Sequence, residues 1–309
     1  MKKISNVIVL IALAVSIVIL GGCSKGQDSS SNVAGSKIVV TDMKGREISL
    51  AKPATKVVAI TAADCEILYA LGAGDTLVGR GEYCNYPEAV SEVIAVESGA
   101  ETNIEQIIAL EPQIVFMNTM AQDVETVEAL ENAGIQVAVS VASDIEGVYE
   151  AIALIGAVVG KDAEATKLVE QMKDQFSEIS ANANSEEEKT VYFEVSPLEY
   201  GLWTAGSNTY MDELSQMLGL KNIFADVEGW GEISQEQVLE RNPDYIITIA
   251  AYMGEGMKPE EEIAQRSGWD KIAAVENERI LNVNADIISR PGPRLTEAAQ
   301  VIFDFIYKE

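Results

Sequence analysis

The stretch Asn103-Ile-Glu-Gln-Ile-Ile-Ala-Leu-Glu-Pro-Gln-Ile-Val115 recurs, at an offset of 131 residues, as Ser234-Gln-Glu-Gln-Val-Leu-Glu-Arg-Asn-Pro-Asp-Tyr-Ile246. Each copy opens on a residue type that caps helices (Asn103, Ser234), carries Gln three positions later (Gln106, Gln237), and is stopped by a proline (Pro112, Pro243). The pattern predicts a short capped helix running into a strand, twice. Glu105 and Glu236 fall at the second helical position, where the cap leaves them free and a carboxylate meets the positive end of the helix dipole. Complementing that dipole is one role for them. The other is that two lobes each present one carboxylate at a matching outer corner.

Working outward, Glu66-Ile-Leu-Tyr-Ala-Leu-Gly72 matches Glu213-Leu-Ser-Gln-Met-Leu-Gly219 with the same Glu-to-Gly spacing. Two matches in the same order, and only two copies of each, predict a bilobed protein instead of a solenoid. Around them strands alternate with helices. Strands are predicted over 56–61, 78–80, 114–117 and 135–139, then over 190–195, 245–249 and 279–283. Helices are predicted over 64–71, 103–110, 124–133 and 145–159, then over 210–218, 234–241, 259–274 with a break at Gly268, and 294–307. A small hairpin over 37–50 turns at Lys44-Gly45. Such alternation implies mostly parallel sheets covered on both faces, hence an α/β fold. The polar-faced helical pattern after Asp162 is the longest in the chain and is read as the one connection between lobes. The expected division is 37–160, a connecting helix over 161–184, and 185–309.

Composition narrows the function. A 48% hydrophobic content suffices for a real core, and the net charge of −27 (22 basic against 49 acidic residues) excludes a nucleic-acid partner. There is no histidine, which removes the commonest metal and haem ligand and every catalytic triad built on it. No Gly-x-Ser-x-Gly elbow and no phosphate-binding glycine loop occur, so a carboxylate-based hydrolase is the remaining enzyme reading. It is disfavoured because Glu105 and Glu236 lie on different lobes. A surface sensor or adhesion protein is the other alternative to transport.

At the start, Lys2 and Lys3 precede an apolar run from Val7 to Leu20 and then Leu20-Gly21-Gly22-Cys23. This is a secretory signal over 1–22, and its end resembles the bacterial lipobox, which implies lipid attachment to Cys23. The Ser-, Gly- and Asn-rich stretch 24–36 reads as a flexible tether. The other thiols, Cys65 and Cys84, are open to two readings, a disulfide or a buried free pair.

A ligand between two such lobes sits beyond the carboxyl ends of the strands. The loops predicted there hold Tyr83 and Tyr86, then Tyr200 and Trp203, then Trp230, then Asp286 with Ser289-Arg290-Pro291-Gly292-Pro293-Arg294, in a chain only 6% aromatic. Arg290 is expected to meet the ligand and Arg294 to pair with Glu297, while Trp269 is assigned to the core.

Together these features resemble the substrate-binding proteins of ABC importers for iron–siderophores, haem and cobalamin. The features are the lipobox, the 56–72 strand and helix, the two Glu-bearing capped helices, Trp203-Thr204-Ala205-Gly206, Asn222-Ile223-Phe224 and the 290–294 turn. The resemblance implies two lobes joined by one long helix (the class III periplasmic-binding-protein fold). It further implies Glu105 and Glu236 docking on basic residues of a permease dimer served by its ATPase, and a monomer anchored in the membrane through lipid alone. Within the family the likeness leans toward the cobalamin binders, whose cleft residues would fall on Tyr83, Trp203, Trp230, Asp286 and Arg290. The implied ligand is a corrinoid or a ferric siderophore, with haem as the alternative and no resident metal or cofactor.

Overall fold

The computed structural model describes residues 37–98, 102–118, 124–183, 188–251 and 256–308. The lipidation and tether readings, Cys23 included, lie outside the described residues.

A hairpin comes first, β1 (Ile38–Thr41) and β2 (Glu47–Leu50), paired antiparallel from Ile38 opposite Leu50. Its turn is held by Asp42, whose carboxylate accepts from the amides of Lys44 and Arg46 at 2.9 and 2.8 Å. The same carboxylate accepts from Val139 N–H at 3.0 Å, which fastens the hairpin to the first sheet.

That sheet is built by β3 (Val57–Ala59), α1 (Ala62–Ala70), β4 (Leu77–Gly81), β5 (Ala95–Val96), α2 (Ile104–Ala109), β6 (Ile114–Met117), α3 (Val124–Asn132), β7 (Gln136–Val139) and α4 (Ile145–Val159). Its strands lie in the order β5-β4-β3-β6-β7 and are all parallel. Successive strand residues point to opposite faces. Val57, Ala59, Ile114 and Phe116 therefore pack with α1 and α4, while Val58, Val115 and Met117 pack with Ile107 of α2 and Leu130 of α3.

Helix α4 ends on Gly160 in the left-handed conformation, and α5 (Asp162–Asn182) follows, 21 residues or about 30 Å long. It buries Ala165, Met172, Phe176 and Ile179 along one side.

The second sheet follows with β8 (Lys189–Ser196), β9 (Trp203–Ala205), α6 (Tyr210–Met217), β10 (Leu220–Asn222), β11 (Trp230–Glu232), α7 (Gln235–Arg241), β12 (Tyr245–Thr248), α8 (Pro259–Ala264), α9 (Ala273–Glu276), β13 (Ile280–Asn282), α10 (Ala285–Ile288) and α11 (Leu295–Tyr307). The order is β11-β9-β8-β12-β13, with β10 alongside the first residues of β8. Here β10, β12 and β13 run parallel to their neighbours, but β9 and β11 are antiparallel. The fold is thus α/β with two mostly parallel sheets and one long helix between them in sequence. A continuous apolar core runs from one face of the first sheet through α4, α5 and α11 to one face of the second.

Three local expectations change. Trp203 and Trp230 lie on strands, not loops. Each strand has three residues, too few for a readable alternation, and glycines surround them. Gly206 lets the chain pass under Val227, because a Cβ there would stand 2.0 Å from the Val227 carbonyl oxygen. The helical stretch 259–274 is two helices with a 3-10 turn at Trp269–Lys271 between them, since Gly268 takes φ +84°. Asp286 sits in the short helix α10, not in a loop.

Candidate functional site

Helices α1 and α6 start alike: Thr61 and Thr209 are N-caps whose hydroxyls accept from the amides of Asp64 and Asp212. Their repeated glutamates both reach across to the other half of the chain. Glu213 accepts from Ile145 N–H, the first residue of α4, at 2.7 Å. Glu66 is buried and accepts from Arg290 Nη1 at 3.0 Å, Arg294 Nε at 2.8 Å and Arg294 Nη2 at 2.6 Å. Arg290 also donates to Asn85 Oδ1 at 2.7 Å and Asp286 Oδ1 at 2.5 Å, and Asn85 Nδ2 donates to Asp286 Oδ2 at 3.0 Å. Arg294 lies 4.0 Å from the centre of the Tyr86 ring, a cation–π distance. The result is a closed circuit joining α1, the loop after β4, and the turn between α10 and α11.

This circuit corrects the pairing expected from sequence: Arg294 goes to Glu66, not Glu297, and Arg290 is held by three internal partners. Glu66 and Asn85 were not singled out. The signal for Glu66 is its place at the head of the repeated Glu-to-Gly stretch, where Glu213 matches it.

Trp203 and Trp230 are 39% and 40% exposed. In the β9–β11 pairing Trp203 stands opposite Glu232 and Trp230 opposite Ala205, so both indoles and the exposed Glu232 share one face of the ribbon. Trp230 packs on Tyr210, ring centres 5.5 Å apart, and the Tyr210 hydroxyl donates to the Ser289 carbonyl at 3.2 Å. The ribbon is thereby tied to the residue preceding Arg290. Tyr83 is 69% exposed, in the same loop as Asn85.

Two cavities open at the carboxyl ends of the strands. One, of about 300 Å³, is lined by Thr61, Asn118, Ser140, Ser289, Arg290 and Pro291 among others, from both halves of the chain. The other, of about 680 Å³, lies where β8 and β12 end and is lined by Glu194, Pro197, Glu199, Tyr200, Ala250 and Glu262 among others. Behind the smaller cavity Asp64 accepts from the Ser140 and Thr61 hydroxyls, and full burial pushes its carboxyl up to about 6. Beneath the larger one Glu194 and Arg266, both buried, pair at 2.6 Å, and Glu262 takes the other side of the guanidinium. Burial raises Glu194 above the usual carboxylate range.

Glu105 and Glu236 stand apart from all of this, exposed on the first turns of α2 and α7. Backbone and Ser234 hydrogen bonds hold Glu236 below the ordinary glutamate range. Cys65 and Cys84 are both buried, and this structure holds them unbridged. Their mutual hydrogen bond raises the Cys65 thiol and lowers that of Cys84. Among the described residues no group of three or more acidic or thiol side chains is placed to hold a metal ion, and no helix is long and apolar enough to cross a membrane.

The sequence profile described as periplasmic binding protein matches residues 57–286. The chain is 32% identical over 309 residues to YvrC, an uncharacterized ABC transporter substrate-binding lipoprotein of Bacillus subtilis, covering 96% of each. It is 26% identical over 304 residues to a cobalamin-binding protein of Halobacterium salinarum, covering 94% of this chain and 81% of that one. In three dimensions it is similar to a possible iron-binding (periplasmic solute-binding) protein from Staphylococcus epidermidis, with a TM-score of 0.73 and 30% identity. That match covers 83% of this chain and 100% of the other.

Proposed function

The chain belongs to the periplasmic binding protein family, whose members named above are binding proteins and not enzymes, and on that premise we propose that it is a lipid-anchored receptor for a metal chelate. It captures a corrinoid or ferric siderophore between its lobes and hands it to an ABC permease on the extracytoplasmic side of the membrane. The lobes are 37–160 and 185–309, with 161–184 between them and the anchor at Cys23.

The observation that carries this reading is one arrangement. Two half-exposed indoles on one face of the β9–β11 ribbon are tied through Tyr210 to the cavity holding Arg290, at the strand ends where an α/β protein binds ligands. A corrin or a hydroxamate chelate offers an apolar face to such rings and a rim of amides to Asp286, Arg290 and Tyr83. Glu105 and Glu236, solvated and one on each capped helix, suit docking on a basic permease surface. Haem is the second reading, favoured by the exposed phenols of Tyr83 and Tyr200, which can ligate ferric iron.

The test is native mass spectrometry of the protein purified from its own host, followed by thermal unfolding with cobalamin, cobinamide and a siderophore set. A retained chelate, and a melting temperature raised by the same compound, are expected. Unchanged melting and unchanged Trp fluorescence across the whole set would sink the chelate assignment.

A further inference from the structure

The guanidinium groups at the cleft are each engaged by internal acceptors, which limits what can enter it. Among the described residues lining the two cavities Arg290 is the one cation, and Glu66, Asn85 and Asp286 already accept hydrogen bonds from it. Neighbouring guanidinium groups are equally committed. Arg294 gives to both oxygens of Glu66 and to the Asp286 carbonyl, under the Tyr86 ring. Arg266 gives to Glu194 and Glu262, and Arg80 to the backbone carbonyls of Val90, Gly81 and Glu82.

An anionic ligand group approaching the remaining N–H donors of Arg290 would meet a guanidinium whose charge is already balanced, because Glu66 and Asp286 together offset Arg290 and Arg294. Among the described residues, two carboxylates outside any ion pair remain in view: Glu199 at the mouth of the larger cavity, and Glu232 opposite Trp203. The net charge of −27 adds a long-range field of the same sign. The exposed faces of Trp203, Trp230, Tyr83 and Tyr200 attract apolar surface and cations alike.

We propose that the cleft selects by charge: it admits metal chelates that are uncharged or cationic and turns away anionic ones, such as catecholate and carboxylate-rich ferric chelates and haem with its propionates. This rests on the chelate-receptor reading above, and it decides between corrinoid or hydroxamate ligands and haem.

The experiment is calorimetric titration of the purified full chain with four probes at low and moderate salt: cyanocobalamin (uncharged), ferrioxamine B (cationic), and ferric enterobactin and haemin (both anionic). Both anionic probes are expected to bind at least about tenfold more weakly than the better of the other two, with the gap narrowing as salt rises. Glu232→Lys, an exposed change, should raise the affinity for the anionic probes about threefold or more without lowering the melting temperature. An anionic probe that binds as tightly as the best uncharged or cationic one overturns the inference while leaving the receptor reading intact. So does a gap that responds neither to salt nor to Glu232→Lys. Failure of all four probes to bind sinks the receptor reading, and the charge rule with it.

Discussion

Two pairs of glutamates repeat along this chain, and they end in opposite surroundings. Glu105 and Glu236 occupy first turns capped by their own local residues, so nothing draws them inward and both remain in water. Glu66 and Glu213 sit among buried neighbours and are carried to the junction of the two halves, where each finds a partner from the other half. The same residue type in a repeated helix thus becomes a surface charge or an internal tie according to the burial of the residues beside it. Within each pair the copies differ too. Ser234 and Gln237 close a full capping box, whereas Gln106 turns away from its own cap and accepts from Glu97 N–H at 3.1 Å.

The sharpest way to break the contrast is Glu66→Ala, which strands two arginines that are 12% and 14% exposed. A loss of about 3 kcal/mol in urea unfolding is expected. Glu213→Gln, which keeps an acceptor, should cost no more than about 1 kcal/mol. If the two losses are equal, the internal ties are not ranked as their partners suggest.

A third inward carboxylate extends the comparison to pH. Asp64 is raised by burial to about 6 in the folded chain, so the folded state holds a proton that the unfolded state releases near pH 4. Its contribution to stability is fully present below about pH 4 and is lost as pH rises through 6, a fall of about 2 to 3 kcal/mol. Asp64→Asn should flatten that segment of a stability–pH curve, and an unchanged slope would place the titration elsewhere.

The caps come next in size. Ser234→Ala should destabilise by about 1 kcal/mol, and Asn103→Ala by less, because only the former undoes a two-way cap. Smallest of all in stability is the double change Glu105→Lys with Glu236→Lys, within about 0.5 kcal/mol by thermal unfolding, since both sites are exposed. Ligand uptake by cells should nevertheless be abolished while ligand affinity stays intact. A fall in affinity would mean that the outward pair is not outward in function.

How much of this was legible in the sequence follows the range of the interactions. The capped helices were readable because a cap is a matter of three or four consecutive residues. Even the turn before each proline repeats, Glu111 at φ 49° and Asn242 at φ 43°. The parallel sheets were readable from buried strands separated by helices. The β9–β11 ribbon was not, because three-residue strands carry no period and their pairing joins residues some thirty positions apart in sequence. The Glu66 circuit was least legible. Asp286 stood four residues from Arg290, but the acid nearest Arg294, Glu297, was the wrong one, and the carboxylate that both arginines share was out of view. The right one lies 224 and 228 residues away.

That separation also sets an order of events during synthesis. Glu66 belongs to helix α1, yet its guanidinium partners are made 224 and 228 residues later, just ahead of α11. Until then the first sheet can be complete while one of its carboxylates has no counter-charge. A chain stopped before Arg290 would lack that fastening, and would lack the apolar face that α11 packs on the second sheet as well. The fastening between the two halves therefore cannot form until the turn between α10 and α11 has been made.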